Sequence, residues 1–255
     1  MRPQDYKDPR PAAYFQPIHD RARAGEPDWV YGVVRVLVLP LVLLVYRTRV
    51  IDTGKVPRHG PAIVAPNHFS FMDHFFVAAL LRRRVSFMGK SQLFRPPLGW
   101  IYTHAGVFPI RRGHRDAEAF ETAHAVLRRG GVVVMYAEGG RSRSGELGVP
   151  RPGLGRLALE SGAPVVPTAI AGASRVRHWT RGRFPRVTVQ YGDAVRFERV
   201  ASPSREEAQA ASEAVFERTR ALYEALRQGD RGPGLGVARA TRGTPEPPRG
   251  PAVLP

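Results

Sequence analysis

Between residues 48 and about 200, short apolar runs alternate with segments whose apolar positions recur at helical spacing. The runs "AIVAP", "VSFMG", "VVVMY", "VVPTAI" and "RVTVQY" have strand length, and several are too uniformly apolar for a sheet with one wet face. Helical spacing appears near residues 72–83, 116–129 and 152–161; the middle segment opens at Asp116, a good N-cap, and stops at Gly130 and Gly131. A last helix is expected over about 203–228, where Ser202 suits the cap, Pro203 fits the first turn, and Glu206 and Glu207 suit the positive helix end. Strands alternating with helices predict an α/β fold: a single domain with a mixed, largely parallel sheet covered by helices.

The flanks break this pattern. Residues 1–28 are polar and proline-containing, which predicts a loose N-terminal arm. Residues 29–47, "WVYGVVRVLVLPLVLLVYR", follow. The apolar run is about as short as a span can be, at roughly 17–25 residues, and Arg35 and Pro40 interrupt it. Trp29, Tyr31 and Tyr46 at its ends, with Arg47 and Arg49 beyond, predict a membrane-associated helix at the interface. A buried core helix is the competing reading, and spanning versus lying flat stays open. "YRTR" follows where a secretory signal would carry small residues, so no cleavage is expected. The folded domain is assigned to 48–228 and a disordered tail, rich in Gly, Pro and Arg, to 229–255.

Composition narrows the chemistry. The chain of 255 residues has no cysteine, which excludes disulfides, thiolate nucleophiles and cysteine-ligated metals. Its 39 Lys and Arg against 22 Asp and Glu give a net charge of +17, which predicts an anionic partner such as phosphate ligands, an anionic lipid surface or nucleic acid. A GC-rich genome accounts equally well for the preponderance of arginine.

Within "VAPNHFSFMDHFF" (64–76), His68 precedes Asp73 by five positions. In a continuous helix such positions lie about 140° apart around the axis. The two side chains meet only if His68 sits in the turn leaving "AIVAP" and Asp73 in the first turn of the next helix, as Pro66, Asn67 and Ser70 predict. A carboxylate so placed fixes the imidazole tautomer and makes the other nitrogen a general base. A His–Asp pair alone is commonplace. Two further segments join it: "GVFPIRR" (106–112) ends a strand in Arg111 and Arg112, and "YAEGGRSRSG" (136–145) ends another in a Gly-rich turn with Glu138, Arg141 and Arg143. Glycines admit an anion to backbone amides and guanidinium forks match phosphate oxygens. These strand ends can share one sheet edge, where α/β proteins bind ligands.

The ordered set "NHFSFMD", "GVFPIRR", "EGGRS" and "VVPTAI" resembles the four motif blocks of the glycerolipid acyltransferase family, which includes bacterial 1-acyl-glycerol-3-phosphate acyltransferase. The resemblance covers roughly residues 50–200. It implies transfer of a fatty acyl chain from acyl-CoA or acyl carrier protein to the free hydroxyl of 1-acyl-glycerol-3-phosphate. It makes His68 the general base and Asp73 its orienting partner, and assigns Arg111, Glu138, Gly139, Gly140, Arg141 and Ser142 to the acceptor's phosphate, with Asn67 and Lys90 as further site residues. No cofactor or metal is implied. The partners are membrane lipids and a lysophospholipid, and the expected location is the cytoplasmic face of the cell membrane. Two departures bear on the acceptor: Gly140 stands where the third block usually has threonine, and Pro109 where the second block usually has a β-branched residue. Backbone amides near the histidine turn are the expected oxyanion donors.

Glycerol 3-phosphate or another lysolipid would serve as alternative acceptors. A non-catalytic basic membrane-surface protein explains the charge and residues 29–47 but leaves the histidine, aspartate and Gly-Arg loop without a purpose. A nucleic-acid binder is disfavoured because the basic residues are dispersed. A metal-dependent phosphohydrolase lacks further ligands, since His74, His104, His114 and His124 have no ligand spacing. The absence of a Gly-x-Ser-x-Gly elbow argues against an acyl-enzyme.

Overall fold

The structure, a computed structural model, describes residues 8–111, 116–142, 144–176, 182 and 184–229. The expected tail and the arginines Arg112 and Arg143 lie outside the described residues, apart from Gly229. Its strands are β1 (Arg49–Ile51), β2 (Ala62–Pro66), β3 (Ser86–Lys90), β4 (Val107–Ile110), β5 (Val132–Val134), β6 (Val165–Ala171) and β7 (Thr188–Tyr191). They form a seven-stranded sheet in the order β1-β7-β6-β2-β5-β3-β4, parallel throughout except for the antiparallel β6–β7 pair. The predicted α/β class and mixed, largely parallel sheet are therefore observed. Pro109, without an amide hydrogen, is tolerated because β4 is an edge strand.

The helices are α1 (Gln16–Ala24), α2 (Trp29–Pro40), α3 (Asp73–Ala78), α4 (Leu98–His104), α5 (Ala117–Arg128), α6 (Pro152–Ser161) and α7 (Arg205–Gly229). Side chains alternate across the sheet, so each strand feeds two cores. Ala62 and Val64 of β2 join Phe76 and Val77 of α3 and Tyr31 of α2 on one face. Ile63 and Ala65 join Val126, Leu157 and Phe216 of α5, α6 and α7 on the other. Helices α6 and α7 cross so closely that a Cβ on Gly155 would lie 1.9 Å from the Ala208 carbonyl oxygen.

Three elements depart from expectation. Residues 12–24 are not a loose arm: a 3₁₀ turn (Ala12–Phe15) and α1 pack on the sheet, burying Phe15 and His19. His19 bonds Thr122 Oγ1 at 2.8 Å and lies beside Phe108, partners about a hundred residues away that no local pattern reveals. The helix expected over 72–83 stops at Ala78, because the following arginines are drawn off to backbone carbonyls. Arg83 donates to those of Pro57, Gly60 and Gly130, and Arg84 to that of Pro27. Helix α2, capped by Asp28, ends at Pro40 and passes into a wide π turn over Leu41–Val45. Its burial is divided: Val30, Tyr31, Val42 and Tyr46 are interior, whereas Trp29, Val36, Leu37 and Leu44 are 66%, 69%, 72% and 75% exposed. Among the described residues, no single helix is long and apolar enough to cross a membrane.

Candidate active site

The C-terminal ends of the parallel strands β2, β5, β3 and β4 carry His68, Glu138, Lys90 and Arg111 respectively, so the chosen residues do share one sheet edge. Asn67, the first residue beyond β2, pairs its side-chain amide with the backbone of Ile170 in both directions, at 3.1 and 2.7 Å. That locks the turn to β6. The next residue, His68, is 7% exposed, and its Nδ1 lies 2.9 Å from Asp73 Oδ2. The same oxygen accepts the amides of Phe69 at 2.7 Å and Ser70 at 2.8 Å, which folds the turn back onto the start of α3. With Asp73 ionised, Nδ1 carries the proton and Nε2 keeps its lone pair. Burial pushes the Asp73 carboxyl up to about 7, against the Ser70 and Phe69 amides and the charge of Arg141, which pull it down.

A second carboxyl grips the histidine from behind. Glu138 Oε1 accepts the His68 amide at 3.2 Å, and the Ser142 amide donates to the His68 carbonyl at 2.8 Å. Glu138 is also pushed up to about 7, chiefly by burial and further by Asp73, while the His68 and Gly148 amides oppose the shift. Its carboxyl thus works on the histidine main chain. The three amides of His68, Phe69 and Ser70 are committed to these two carboxylates, so the turn's amides are not free to act as the expected oxyanion donors.

Two aromatic neighbours escaped the sequence reading. Tyr136 stacks on the His68 ring with centroids 3.9 Å apart, and His74 meets it edge-on at 5.3 Å. Tyr136 directly precedes the Gly-rich loop, which was the available signal. His74 is held neutral, its pKa lowered to about 4 by burial and by His68, while Nδ1 bonds the Phe71 carbonyl.

Residues next to His68 line three cavities. An apolar cavity of about 300 Å³ runs from His74 and Phe71 between α2 and α4, lined by Tyr31, Val34, Phe87 and Leu98 among others. A polar groove of about 960 Å³ starts at Tyr136 and passes Gly139, Gly140, Arg151 and Arg205. A third, of about 760 Å³, lies past Phe69 and Ser70 and contains Arg141, Ser142 and Phe184. The residues assigned to phosphate are thereby divided. Arg141 and Ser142 face one cavity, and Gly139 and Gly140 face another; Gly139 has φ +64°, which favours glycine. Arg111 ends the edge strand, three strand spacings or roughly 14 Å across the sheet from β2. Its Nη2 donates to the Arg10 carbonyl at 3.2 Å. Lys90 ends β3 beside Ile110. Among the described residues no group of three or more His, Cys, Asp or Glu is placed to hold a metal ion.

Comparison with known proteins places this edge in context. Residues 47–171 match the family model Acyltransferase. A lyso-ornithine lipid O-acyltransferase of Pseudomonas aeruginosa is 32% identical over 121 residues, 47% of this chain and 46% of that protein. A 1-acyl-sn-glycerol-3-phosphate acyltransferase of Borreliella burgdorferi is 29% identical over 127 residues, 48% of this chain and 51% of that protein. The chloroplastic 1-acyl-sn-glycerol-3-phosphate acyltransferase BAT2 of Brassica napus is 27% identical over 51% of this chain, and the match spans only 39% of its own length. The crystal structure of the 1-acyl-sn-glycerophosphate acyltransferase of Thermotoga maritima shares the fold, with a TM-score of 0.56 at 18% identity, covering 84% of this chain and 90% of that one. The matched stretch contains every residue of the His68 turn and of the Gly-rich loop that clamps it, and residues 47–171 belong to the acyltransferase family.

Proposed function

We propose that the protein transfers a fatty acyl group from a thioester donor to the free hydroxyl of a lysolipid, with 1-acyl-glycerol-3-phosphate as the acceptor that the relatives' names favour. The observation that carries this reading is His68, oriented at Nδ1 by buried Asp73, with neighbours that line one apolar and two more polar cavities.

In this mechanism His68 Nε2 takes the hydroxyl proton as the acceptor oxygen attacks the thioester carbonyl carbon. A C–O bond forms, the carbonyl electrons move onto oxygen, and they return as the C–S bond breaks. The proton on Nε2 passes to the departing thiolate. Ester and thiol are the products, and no covalent enzyme intermediate is needed. Glu138 acts by position, holding the His68 amide, since an ionised carboxylate would repel a phosphate. Arg141, close enough to pull down the Asp73 carboxyl, is the acceptor's phosphate contact, with Ser142 beside it. Arg111 is the more distant candidate for the same phosphate. The apolar cavity takes the donor's acyl chain, and neutral His74 at its inner end suits an uncharged occupant. The exposed face of Trp29, Val36, Leu37 and Leu44, continued by Leu98 and Trp100, lies on the bilayer from which a lysolipid enters.

The relative that acts on lyso-ornithine lipid keeps a second acceptor in view, one without phosphate. The test is release of free thiol from a long-chain acyl-CoA by the purified full chain in detergent, with and without lysophosphatidic acid. Release should require the acceptor and fall about a hundredfold or more in His68→Ala. Equal release by both proteins would remove His68 as the base.

A further inference from the structure

Of the three cavities lined by neighbours of His68, the polar groove beside Tyr136 has no occupant in the mechanism above. It is lined by two arginines, Arg151 and Arg205, by Gln209, and by an apolar floor that includes Met88, Phe120, Met135 and Leu154; among the described residues no carboxylate lines it. One end of this groove touches the ring stacked on the general base. The other continues past Pro152, Gly153 and Arg205 toward Ser202–Ser204 and the Arg156–Glu160 ion pair.

Arg151 is built into place. Its backbone amide donates to the Ala137 carbonyl at 2.8 Å, and its own carbonyl accepts from Ser212 Oγ at 2.8 Å. Ser212 Oγ in turn accepts the Gly155 amide at 2.7 Å, where α6 and α7 make their closest approach. The aliphatic stem of Arg151 lies over Gly139, whose added Cβ would come within 2.9 Å of Arg151 Cδ. Main chain and stem are thus fixed. The guanidinium makes no ion pair among the described residues. Gln209 is tethered as well, donating to the Pro150 carbonyl at 3.1 Å. A surface arginine held by its stem, with its fork left to a groove, is preorganised for a bidentate anion.

We infer that this groove binds the carrier end of the thioester donor, the phosphopantetheine arm, with its methylenes over Met135 and Phe120 and its phosphate on Arg151 and Arg205. The inference rests on the acyl-transfer reading. The chemistry fits a single ligand shape: a thioester at His68, an acyl chain leading into the apolar cavity, and an amide-bearing arm leaving along the groove toward charge. It also separates the two anions of the reaction. The acceptor's phosphate meets Arg141 on the far side of the histidine turn, while the donor's meets Arg151, so neither competes for the other's arginine.

Both coenzyme A and acyl carrier protein present this arm, and both are used as donors in the test. The full chain in detergent is compared with Arg151→Ala, Arg205→Glu and the double variant. The KM for acyl-CoA or acyl carrier protein, whichever the enzyme uses, should rise about tenfold or more in the double variant, which removes both charge-assisted contacts. The KM for lysophosphatidic acid should stay within about twofold on the same basis. Arg205 lies on the exposed start of α7, so its variant remains informative if Arg151→Ala fails to fold. A rise confined to the acceptor's KM would give the groove to the acceptor and overturn the inference, and unchanged constants for both substrates would do the same. Binding of free coenzyme A by calorimetry separates this from failure of the acyl-transfer reading, because it needs no turnover. Wild type that transfers acyl groups while the double variant binds coenzyme A as tightly sinks the groove alone.

Discussion

Asp73 and Glu138 are two buried carboxyls, both raised to about 7 by desolvation, and both serve the same histidine. Asp73 reaches the His68 ring from five residues away in the same turn. Glu138 reaches the His68 main chain from 70 residues away, after β5 has paired beside β2. The first contact exists wherever this turn forms. The second exists only when the sheet has closed. One carboxyl orients the ring within its own turn, and the other ties that turn to the loop after β5.

The largest effect that separates the two is expected from Asp73→Asn, with kcat falling a hundredfold or more because the imidazole loses its orienting charge. The same variant should gain stability at alkaline pH. A carboxyl raised above its unfolded value near 3.9 binds more protons folded than unfolded, so the native protein loses stability as pH rises from about 4 to about 7. Neutral asparagine escapes that loss. Its Tm at pH 8 should exceed wild type by roughly 10 °C, against little difference at pH 4; an equal deficit at both pH values would show that the Asp73 carboxyl is not raised. Wild-type kcat/KM should correspondingly fall as pH drops below about 7.

Glu138→Gln comes next. The amide oxygen still accepts the His68 N–H, so a loss of about tenfold in kcat is expected, shared between donors of any chain length. A loss as large as that of Asp73→Asn would make Glu138 a participant in the chemistry. Smaller again is the contrast between the two arginines: Arg141→Ala should raise the acceptor KM about tenfold, and Arg111→Ala about twofold. Reversal of that order would return the phosphate to the strand end at Arg111. Least visible in detergent is Leu37→Asp with Leu44→Asp, which should leave kcat within about twofold but abolish co-sedimentation with vesicles containing anionic lipid. Persistent sedimentation would acquit that face.

The local half of this site was legible because it is written locally. Pro66, Asn67 and Ser70 predict the turn, and the turn alone brings His68 to Asp73. The parallel sheet was legible for the same reason, since uniformly apolar runs such as "VVPTAI" have no wet face to offer. What the sequence concealed depends on closure. Nothing near Glu138 announces that its partner is an amide rather than a phosphate. Nothing near Arg151 says that Ser212 and Gly139 will pin it. The N-terminal arm hid because its anchors are few: Phe15 and His19 sit among polar neighbours, and their receiving surface lies on β4 and α5.

That arm has a consequence for how the chain is made and for how it can be cut. The Arg10 guanidinium donates to the carbonyls of Ser91 and Phe94, each at 2.6 Å, and stands over the rings of Tyr14 and Phe15. These partners lie 81 and 84 residues downstream. At roughly 5–20 residues per second, the N-terminal segment waits several seconds or more on the ribosome before its dock exists. During that interval the apolar stretch after it is the most hydrophobic surface the nascent chain presents. A truncation meant to remove a membrane anchor would also remove the clasp over the β3–α4 loop, so the two roles are separable only by point substitutions on the exposed face of α2.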